Sequence, residues 1–327
     1  MKEYELNVDP RILELLGPNL YTNVYYVLAE LIANAYDADA HNVYVISNEN
    51  DIRVEDDGHG MSYEHGDVGR FLNVAGISRA NEGDSKTRSG NRRKMGRKGV
   101  GKLAALSVSE CVEVKTISDG EKSGFILSCR PIDVNKLQAI PEEDIVFDYV
   151  ENNGTAIVMR SPQYRLNKSM ESIKRNLLKI FPLVNEDFKI HVIRGRDHAI
   201  IDAFDENIAG ELCAFISLGD EFWGLANYIP DLIPHKRTEL VEKKDVYIEP
   251  LSLNDNNGIE HEYELKITGW IGAYTSTRGR KAVFTDFPDN FISLYANKKL
   301  GEFNILPLVG QNKLNEVFVV GQLHVDL

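Results

Sequence analysis

Two early segments of the chain, Pro10–Leu16 and Val24–Asp37, repeat apolar residues every three or four positions, which predicts a helix over each. The same period returns over Ser169–Phe181, and a further helix is expected over Lys102–Ser107. Alternating apolar and polar positions predict strands over Asn42–Ile46, Ile52–Asp56, Cys111–Ser118, Ser123–Cys129, Thr155–Met159 and Phe188–Ile193. This order fits an α+β fold, a two-layer α/β sandwich with a mixed sheet and helices on one face.

The distal part of the chain predicts a second, smaller α/β domain. Its apolar patterns indicate strands over Glu262–Tyr274, Phe291–Leu300 and Val317–Val325. A length of 327 residues with 43% hydrophobic side chains is sufficient for two cores. We place the boundary within Arg194–Ala203, which gives domains of residues 1–198 and 199–327.

The helix over Val24–Asp37 carries three polar side chains on one face. Glu30, Asn34 and Asp37 are spaced four and three residues apart, so they lie on the same side of a helix. The Asn34 carbonyl oxygen is a suitable ligand for Mg²⁺, and Glu30 is placed one turn away to act as a general base on water. The alternative interpretation is an ordinary amphipathic helix with a solvated acidic face.

An acidic glycine turn, Asp56-Asp57-Gly58-His59-Gly60-Met61, follows the second predicted strand. A carboxylate at Asp57 can accept a hydrogen bond from the exocyclic amine of adenine. Gly58 and Gly60 would let a flat base approach the backbone, and Met61 would supply an apolar wall. The alternative is a plain β-turn, in which Asp-Gly is common.

A glycine-rich segment, Gly96-Arg97-Lys98-Gly99-Val100-Gly101-Lys102, precedes the predicted helix at Lys102. Backbone N–H groups and the helix dipole at such a position can receive a phosphate chain. The segment lacks the P-loop ending, and no strand leads directly into it, so it does not match the dinucleotide fingerprint.

In this order the three elements resemble the N, G1 and G2 boxes of the GHKL ATPases, the superfamily of gyrase, the ninety-kilodalton heat-shock chaperone, histidine kinases and MutL. The resemblance implies a Bergerat-type fold that binds ATP and Mg²⁺. It implies a nucleotide site that contains Asn34, Asp37, Ala38, Asp57, Gly60, Met61, Asn73, Gly96, Lys98, Gly99, Val100, Gly101, Lys102 and Thr155. Asn34 would also hold the metal, and Thr155 would help to hold the adenine-binding carboxylate.

Glu30 matches the glutamate by which hydrolytic members of the superfamily activate water, so the resemblance implies an ATPase. The sequences of the segments Ala35–Asp39 and Gly76–Ser78 look closest to those of MORC-like or MutL-like bacterial ATPases. The distal segment Ile292–Leu300 resembles their transducer domain, of the ribosomal-S5-like type, in which a lysine reaches the γ-phosphate. Lys298 or Lys299 would take that catalytic role, and the alternative is that both lie on an ordinary surface turn.

The function implied by the resemblance is slow, Mg²⁺-dependent ATP hydrolysis that closes a molecular clamp on DNA or a protein client. Closure would make an ATP-dependent homodimer, with Met1–Asn19 exchanged between chains. The alternatives are a nucleotide-gated binding or regulatory module with negligible turnover, and a chaperone or histidine-kinase-like protein. Relatives of this kind carry further domains, so we expect this chain to be a fragment of a longer protein.

Charge and composition limit the partners. A net charge of −13 argues against polyanion binding over the whole surface. A basic cluster nevertheless lies where the resemblance implies an ATP lid, from about Gly83 to Gly101, called here the lid region. The cluster consists of Lys86, Arg88, Arg92, Arg93, Lys94, Arg97, Lys98 and Lys102. Among these, Arg88, Arg92 and Arg93 are expected to be solvated loop cations.

Location is suggested by what the sequence lacks. The three cysteines are far apart and odd in number, which favours reduced thiols over a disulfide framework. No apolar run approaches the length of a membrane span. We therefore expect a cytoplasmic protein without a membrane partner.

Overall fold

The structure is a computed structural model that describes residues 2–6, 23–73, 86–92, 94–95, 101–129, 136–166, 169–181, 187–201, 206–231, 237–254, 258–276, 278, 288–296, 299–309 and 317–326. The chain divides into two compact units, Met1–Phe204 and Asp205–Leu327. The predicted boundary at residue 198 falls inside a strand of the first unit, Asp197–Ile201.

The first unit contains three α-helices among its described residues: α1 (Val24–Asp37), α2 (Asp67–Leu72) and α3 (Met170–Ile180). Two 3₁₀ helices, Gly101–Ser107 and Glu142–Asp144, accompany them. The strands are β1 (Asn42–Ser47), β2 (Asp51–Asp56), β3 (Cys111–Ser118), β4 (Glu121–Ser128), β5 (Gln138–Ala139), β6 (Gly154–Arg160), β7 (Lys189–Arg194) and β8 (Asp197–Ile201).

These strands form one mixed sheet in the order β5-β4-β3-β6-β2-β1-β7-β8. Neighbours are antiparallel except for β1 and β7, which run parallel. Helix α1 packs against α3 and against the 3₁₀ helix, and all three contact the sheet. The predicted α+β sandwich is therefore confirmed.

Helix α1 forms because nearly all of its apolar positions are buried. The Asn23 side chain caps its first turn by accepting a hydrogen bond from the Tyr25 N–H at 2.9 Å. Buried side chains surround most of the helix: Val24, Tyr25, Val27, Leu28, Leu31, Ile32, Ala33, Ala35 and Tyr36. Burial on this scale provides most of the stability of a helix of this length.

Two local predictions need correction. The expected helix over Lys102–Ser107 is a 3₁₀ helix, Gly101–Ser107, and its side chains from Leu103 onward are buried on all sides. The segment Arg194–Ala203, in which the domain boundary is expected, contains β8, which pairs with β7 through a turn at Gly195 with φ +57°. Exposed polar positions on this edge strand hid it from pattern reading. The predicted helix over Pro10–Leu16 lies outside the described residues.

The second unit contains short helices α4 (Glu206–Gly210), α5 (Arg237–Leu240) and α6 (Leu306–Val309), and a 3₁₀ helix, Trp223–Tyr228. Its strands are β9 (Leu212–Leu218), β10 (Val241–Lys244), β11 (Tyr247–Asn254), β12 (Glu260–Tyr274), β13 (Ile292–Ala296), β14 (Lys299–Glu302) and β15 (Val319–Asp326). The sheet order is β10-β9-β12-β15-β13-β14, and β11 pairs with β12.

One face of the second sheet carries the core of this unit. Trp270 is 1% exposed, stacks on Phe215 and donates its indole N–H to Gln322 at 3.2 Å. The strand predicted over Phe291–Leu300, with a basic turn at Asn297-Lys298-Lys299, is two antiparallel strands, β13 and β14, of which β14 begins at Lys299. Strands β9, β10 and β11 have mixed or exposed patterns, and sequence reading did not find them.

No helix among the described residues is long and apolar enough to cross a membrane. The three cysteines are of intermediate exposure and form no disulfide with one another.

Candidate functional site

The three polar residues of α1 lie on its least buried side. Asn34 is exposed, whereas Glu30 and Asp37 are half-buried, and the flanking Leu31 and Ala35 are buried. The helix therefore presents an acid, an amide and a second acid along one stripe, as the spacing predicted. An amide oxygen with adjacent carboxylates is the type of donor set that Mg²⁺ accepts beside phosphates.

The end of α1 is joined directly to the acidic glycine turn. The Ala38 carbonyl accepts a hydrogen bond from the His59 N–H at 3.0 Å. A Cβ at Gly58 would lie 2.7 Å from the same carbonyl oxygen, and a Cβ at Gly60, where φ is +67°, would lie 2.0 Å from the Ile117 carbonyl oxygen. Both glycines are required by close backbone contacts within the protein.

The two adjacent aspartates of the turn have different environments. Asp57 is bound on both oxygens by the α1–β1 connection: Oδ1 accepts the N–H groups of His41 and Asn42 at 2.7 and 2.8 Å, and Oδ2 accepts the Asn42 amide at 2.7 Å. These bonds hold the turn against the start of β1. This geometry favours a structural role for Asp57, in place of the adenine contact expected from the sequence.

Asp56 is the buried acid of the pair, 8% exposed. Its Oδ1 accepts the Gly58 N–H at 3.0 Å. Burial raises the pKa of Asp56 from 3.8 to about 7, against the hydrogen bonds that it accepts from the backbone N–H groups of Gly58 and Thr155. A buried carboxyl whose pKa is strongly raised marks a candidate site for ligand recognition.

The alternation of side chains between the two faces of β2 distinguishes Asp56 from Asp57. Ile52 and Val54 are 2% and 3% exposed, and Asp56 follows them on the same face of β2. Helix α1 contacts β2. Asp56 therefore points toward the helix layer that carries Glu30 and Asn34, and Asp57 lies beyond the strand.

A pair of threonines connects the turn to β6. Thr155 lies opposite Asp56 in the β2–β6 register, and its hydroxyl is 3.4 Å from that of Thr116. The fully buried Thr116 hydroxyl accepts the Met61 N–H at 2.8 Å and donates to the Gly154 carbonyl at 3.0 Å. Sequence reasoning missed Thr116, because only the fold brings β3 next to both segments.

The remaining predicted residues are only partly described. Gly96, Lys98, Gly99, Val100 and Lys298 lie outside the described residues. Gly101 and Lys102 begin the 3₁₀ helix that packs against α1, and Lys299 begins β14. Asn73 is an exposed residue at the end of α2.

The segment before the glycine-rich loop is attached to the end of α1. Asp37 Oδ1 accepts the Met95 N–H at 2.7 Å, and Asp39 accepts the N–H and the hydroxyl of Ser89, both at 2.8 Å. Partial burial opposes ionisation of Asp39, but hydrogen bonds from Thr87 and Ser89 and the charge of Arg92 outweigh it and lower the pKa of Asp39. Asp37 is thus a positioning group for the residue that precedes Gly96.

Arg92 provides a further attachment, and the expectation of a solvated cation is wrong for it. Its guanidinium donates to the carbonyls of Ala40 at 2.6 Å and Asp187 at 2.9 Å. It also lies over the ring of Tyr36, 4.7 Å from the centroid. One side chain therefore joins the lid region to α1 and to the segment before β7, while Arg88 is exposed as expected.

We expect Arg92→Ala to release the segment 86–92 from α1, because it removes the hydrogen bonds to the Tyr36, Ala40 and Asp187 carbonyls and the contacts with two aromatic rings together. Amide hydrogen exchange at Thr87 and Ser89 should rise by roughly tenfold or more, which corresponds to a loss of about 1.4 kcal/mol in local stability. The exposed Arg88→Ala is the matched control and should leave exchange unchanged. Equal rates of amide hydrogen exchange in Arg92→Ala and Arg88→Ala would contradict the attachment of this segment through Arg92.

Residues 21–155 match the family model described as "Histidine kinase-, DNA gyrase B-, and HSP90-like ATPase". The match covers α1, the acidic glycine turn and the start of β6, which are the elements that the structure brings together. Over residues 21–155 the chain is therefore similar to the ATPases of the GHKL superfamily.

A curated protein of Herpetosiphon aurantiacus, named "Putative type II restriction enzyme HgiDII", is 26% identical over 333 residues. The similarity covers 99% of this chain and 49% of that protein, so the chain spans about half the length of its curated relative.

Proposed function

We propose that the first unit binds ATP with Mg²⁺ and hydrolyses it slowly. The observation that carries the proposal is the buried Asp56 carboxyl at the helix side of β2, within a turn that is joined to α1 through Ala38. Asp56 would accept a hydrogen bond from the adenine amine. Thr155 and Thr116 would support it from β6 and β3.

The α1 stripe would serve the phosphate end of the nucleotide. Asn34 would hold Mg²⁺, whose charge would neutralise phosphate oxygens. Glu30, one turn earlier, would orient water and accept its proton as a general base. Asp37 would position the glycine-rich loop through Met95, so that the loop meets the phosphates from one direction.

We further propose that nucleotide binding closes a dimeric clamp. The attachments of Ser89, Arg92 and Met95 to the end of α1 provide a route by which the site can influence the lid. Residues 2–6 pack on their own domain, with Tyr4 3% exposed between Tyr63 and Phe125. An exchange of Met1–Asn19 between chains would therefore require release of this contact.

The second unit would act as the transducer, with Lys298 or Lys299 reading the γ-phosphate. DNA is the client that we propose first, because the curated relative carries the name of a restriction enzyme. With a net charge of −13, contact with DNA would depend on local basic segments such as the lid region.

Titration calorimetry with ATP and with inosine triphosphate tests the proposed hydrogen bond between Asp56 and the adenine amine. Inosine carries a carbonyl where adenine carries the amine, so it has no exocyclic N–H to donate to Asp56. We expect Mg²⁺-dependent binding of ATP, with inosine triphosphate at least roughly tenfold weaker, the cost of one hydrogen bond to a charged group. Equal affinities would refute the role of Asp56, and absence of ATP binding would refute the proposed function.

A further inference from the structure

Strands β11 and β12 form a two-stranded ribbon that extends beyond the rest of the second sheet. Residues 260–267 of β12 pair with β11 along its whole length, whereas β9 joins β12 only from Gly269 and β15 only from Lys266. Among the described residues, the outer part of the ribbon therefore has no third strand. Most of its side chains are exposed on both faces.

The two faces of the ribbon differ in chemistry. Directly opposed residues share a face in an antiparallel pair. One face, termed here the acidic face because it carries three glutamates and a single lysine, consists of Ile248, Pro250, Ser252, Asn254, Glu260, Glu262, Glu264 and Lys266. The other, termed the apolar face, carries the pairs Tyr247 with Ile267, Glu249 with Leu265, Leu251 with Tyr263, and Leu253 with His261.

The apolar face is exposed to an unusual degree for such side chains. Tyr247 is 52% exposed, Leu253 43% and Tyr263 38%, and Ile259 just before β12 is 57% exposed. A contiguous apolar patch of this kind marks an interaction surface. The acidic face makes nucleic acid an unfavourable partner, because three glutamates would approach phosphates.

Glu249 and His261 are the two ionisable groups of the apolar face apart from tyrosine, and their positions are symmetric about the Leu251–Tyr263 pair. Glu249 lies one pair toward the base and His261 one pair toward the tip. The Tyr247 hydroxyl donates to the Glu249 carboxylate at 2.7 Å, which keeps that carboxylate on this face.

We propose that the apolar face binds the same face of a second copy of this chain, with the two ribbons antiparallel and the two-fold axis at the Leu251–Tyr263 pair. This arrangement places His261 of each copy level with Glu249 of the other, so both ionisable groups gain a complementary neighbour. A parallel arrangement would instead bring like groups level with one another. Ile259 of each copy would cover Tyr247 and Ile267 of the other.

The contact is small. Five levels of side chains, spaced roughly 7 Å apart, give an interface about 30 Å long and, across two strands, roughly 10 Å wide. The resulting area of about 300 Å² per partner is well below the roughly 800 Å² per partner of a stable complex. The ribbon contact is therefore weak by itself, and it would act together with any other contact between the same two chains, which raises the effective concentration. The ribbon contains none of the proposed nucleotide-site residues, so its contact can be tested without nucleotide.

Chemical cross-linking captures such a weak contact. In the full chain with its three native cysteines replaced by serine, Leu251→Cys places one thiol at the proposed axis, and Ser252→Cys places it on the acidic face as a matched control. With a short bismaleimide and no nucleotide, we expect several-fold more cross-linked dimer for Leu251→Cys. Equal yields for the two positions would overturn the proposal.

Charge exchange on the Leu251→Cys background tests the orientation. His261→Glu alone should reduce the dimer yield several-fold, because two pairs of glutamates would face each other, and adding Glu249→Lys should restore it. Failure of the double variant to recover would overturn the antiparallel arrangement. Thermal unfolding confirms that each variant is folded, and loss of ATP binding has no bearing on the result.

Discussion

Asp56→Asn is expected to make the protein more stable and unable to bind ATP normally. Burial raises the folded-state pKa of Asp56 to about 7 from 3.8, an interval that corresponds to roughly 4 kcal/mol. Asparagine removes this cost and keeps an oxygen for the Gly58 N–H. At pH 8 we expect the free energy of unfolding to rise by roughly 2–4 kcal/mol, measured by urea denaturation.

The pH dependence identifies the cause. The folded protein holds the Asp56 proton more tightly than the unfolded chain, so the contribution of this group to stability is fully present below pH 3.8 and is lost as the pH rises through about 7. The advantage of Asp56→Asn should therefore be greatest at pH 8 and should disappear toward pH 4. An advantage that does not depend on pH would have another origin.

Binding gives the second half of this prediction. Asparagine cannot provide the charged acceptor for the adenine amine, so ATP affinity should fall by roughly tenfold to a hundredfold. Asp57→Asn is the matched control, because Asp57 binds the backbone of His41 and Asn42 and should leave affinity nearly unchanged. If Asp57→Asn lowered ATP affinity and Asp56→Asn did not, the hydrogen bond to the adenine amine would be assigned to Asp57.

Glu30→Gln is expected to abolish turnover while ATP still binds. Glutamine preserves the size of the side chain on the half-buried stripe of α1 but cannot accept a proton from water. Loss of a general base lowers the rate by roughly a hundredfold to ten-thousandfold. Phosphate release should fall by this factor, and calorimetry should show ATP affinity within a few-fold of that of the wild type.

Asn34→Ala distinguishes the roles of Asn34 and Glu30 on the polar stripe of α1. It removes the proposed metal ligand, so the dependence of ATP affinity on Mg²⁺ should weaken, whereas Glu30→Gln should leave this dependence intact.

Wild-type phosphate release in Glu30→Gln would exclude Glu30 as the general base. An unmodified protein that binds ATP without measurable turnover would favour the nucleotide-gated binding module.

Much of the candidate site could be predicted from the sequence because it depends on local periodicity. The helical spacing of Glu30, Asn34 and Asp37 places them on one stripe whatever surrounds the helix, and the structure shows the rest of α1 buried. The acidic glycine turn was recognised equally well by its composition. Edge strands such as β8 and the ribbon strand β11 were missed because their exposed positions carry no regular apolar pattern.

The sequence by itself determined the α+β class, the polar stripe of α1 and the resemblance to the GHKL ATPases, since each follows from short-range order along the chain. The tertiary structure decided which of two neighbouring aspartates is buried, that Arg92 joins three segments, and that Thr116 links the turn to β6. The physical reason is that burial and hydrogen-bond partners depend on residues 50 or more positions away, which only the fold brings into contact.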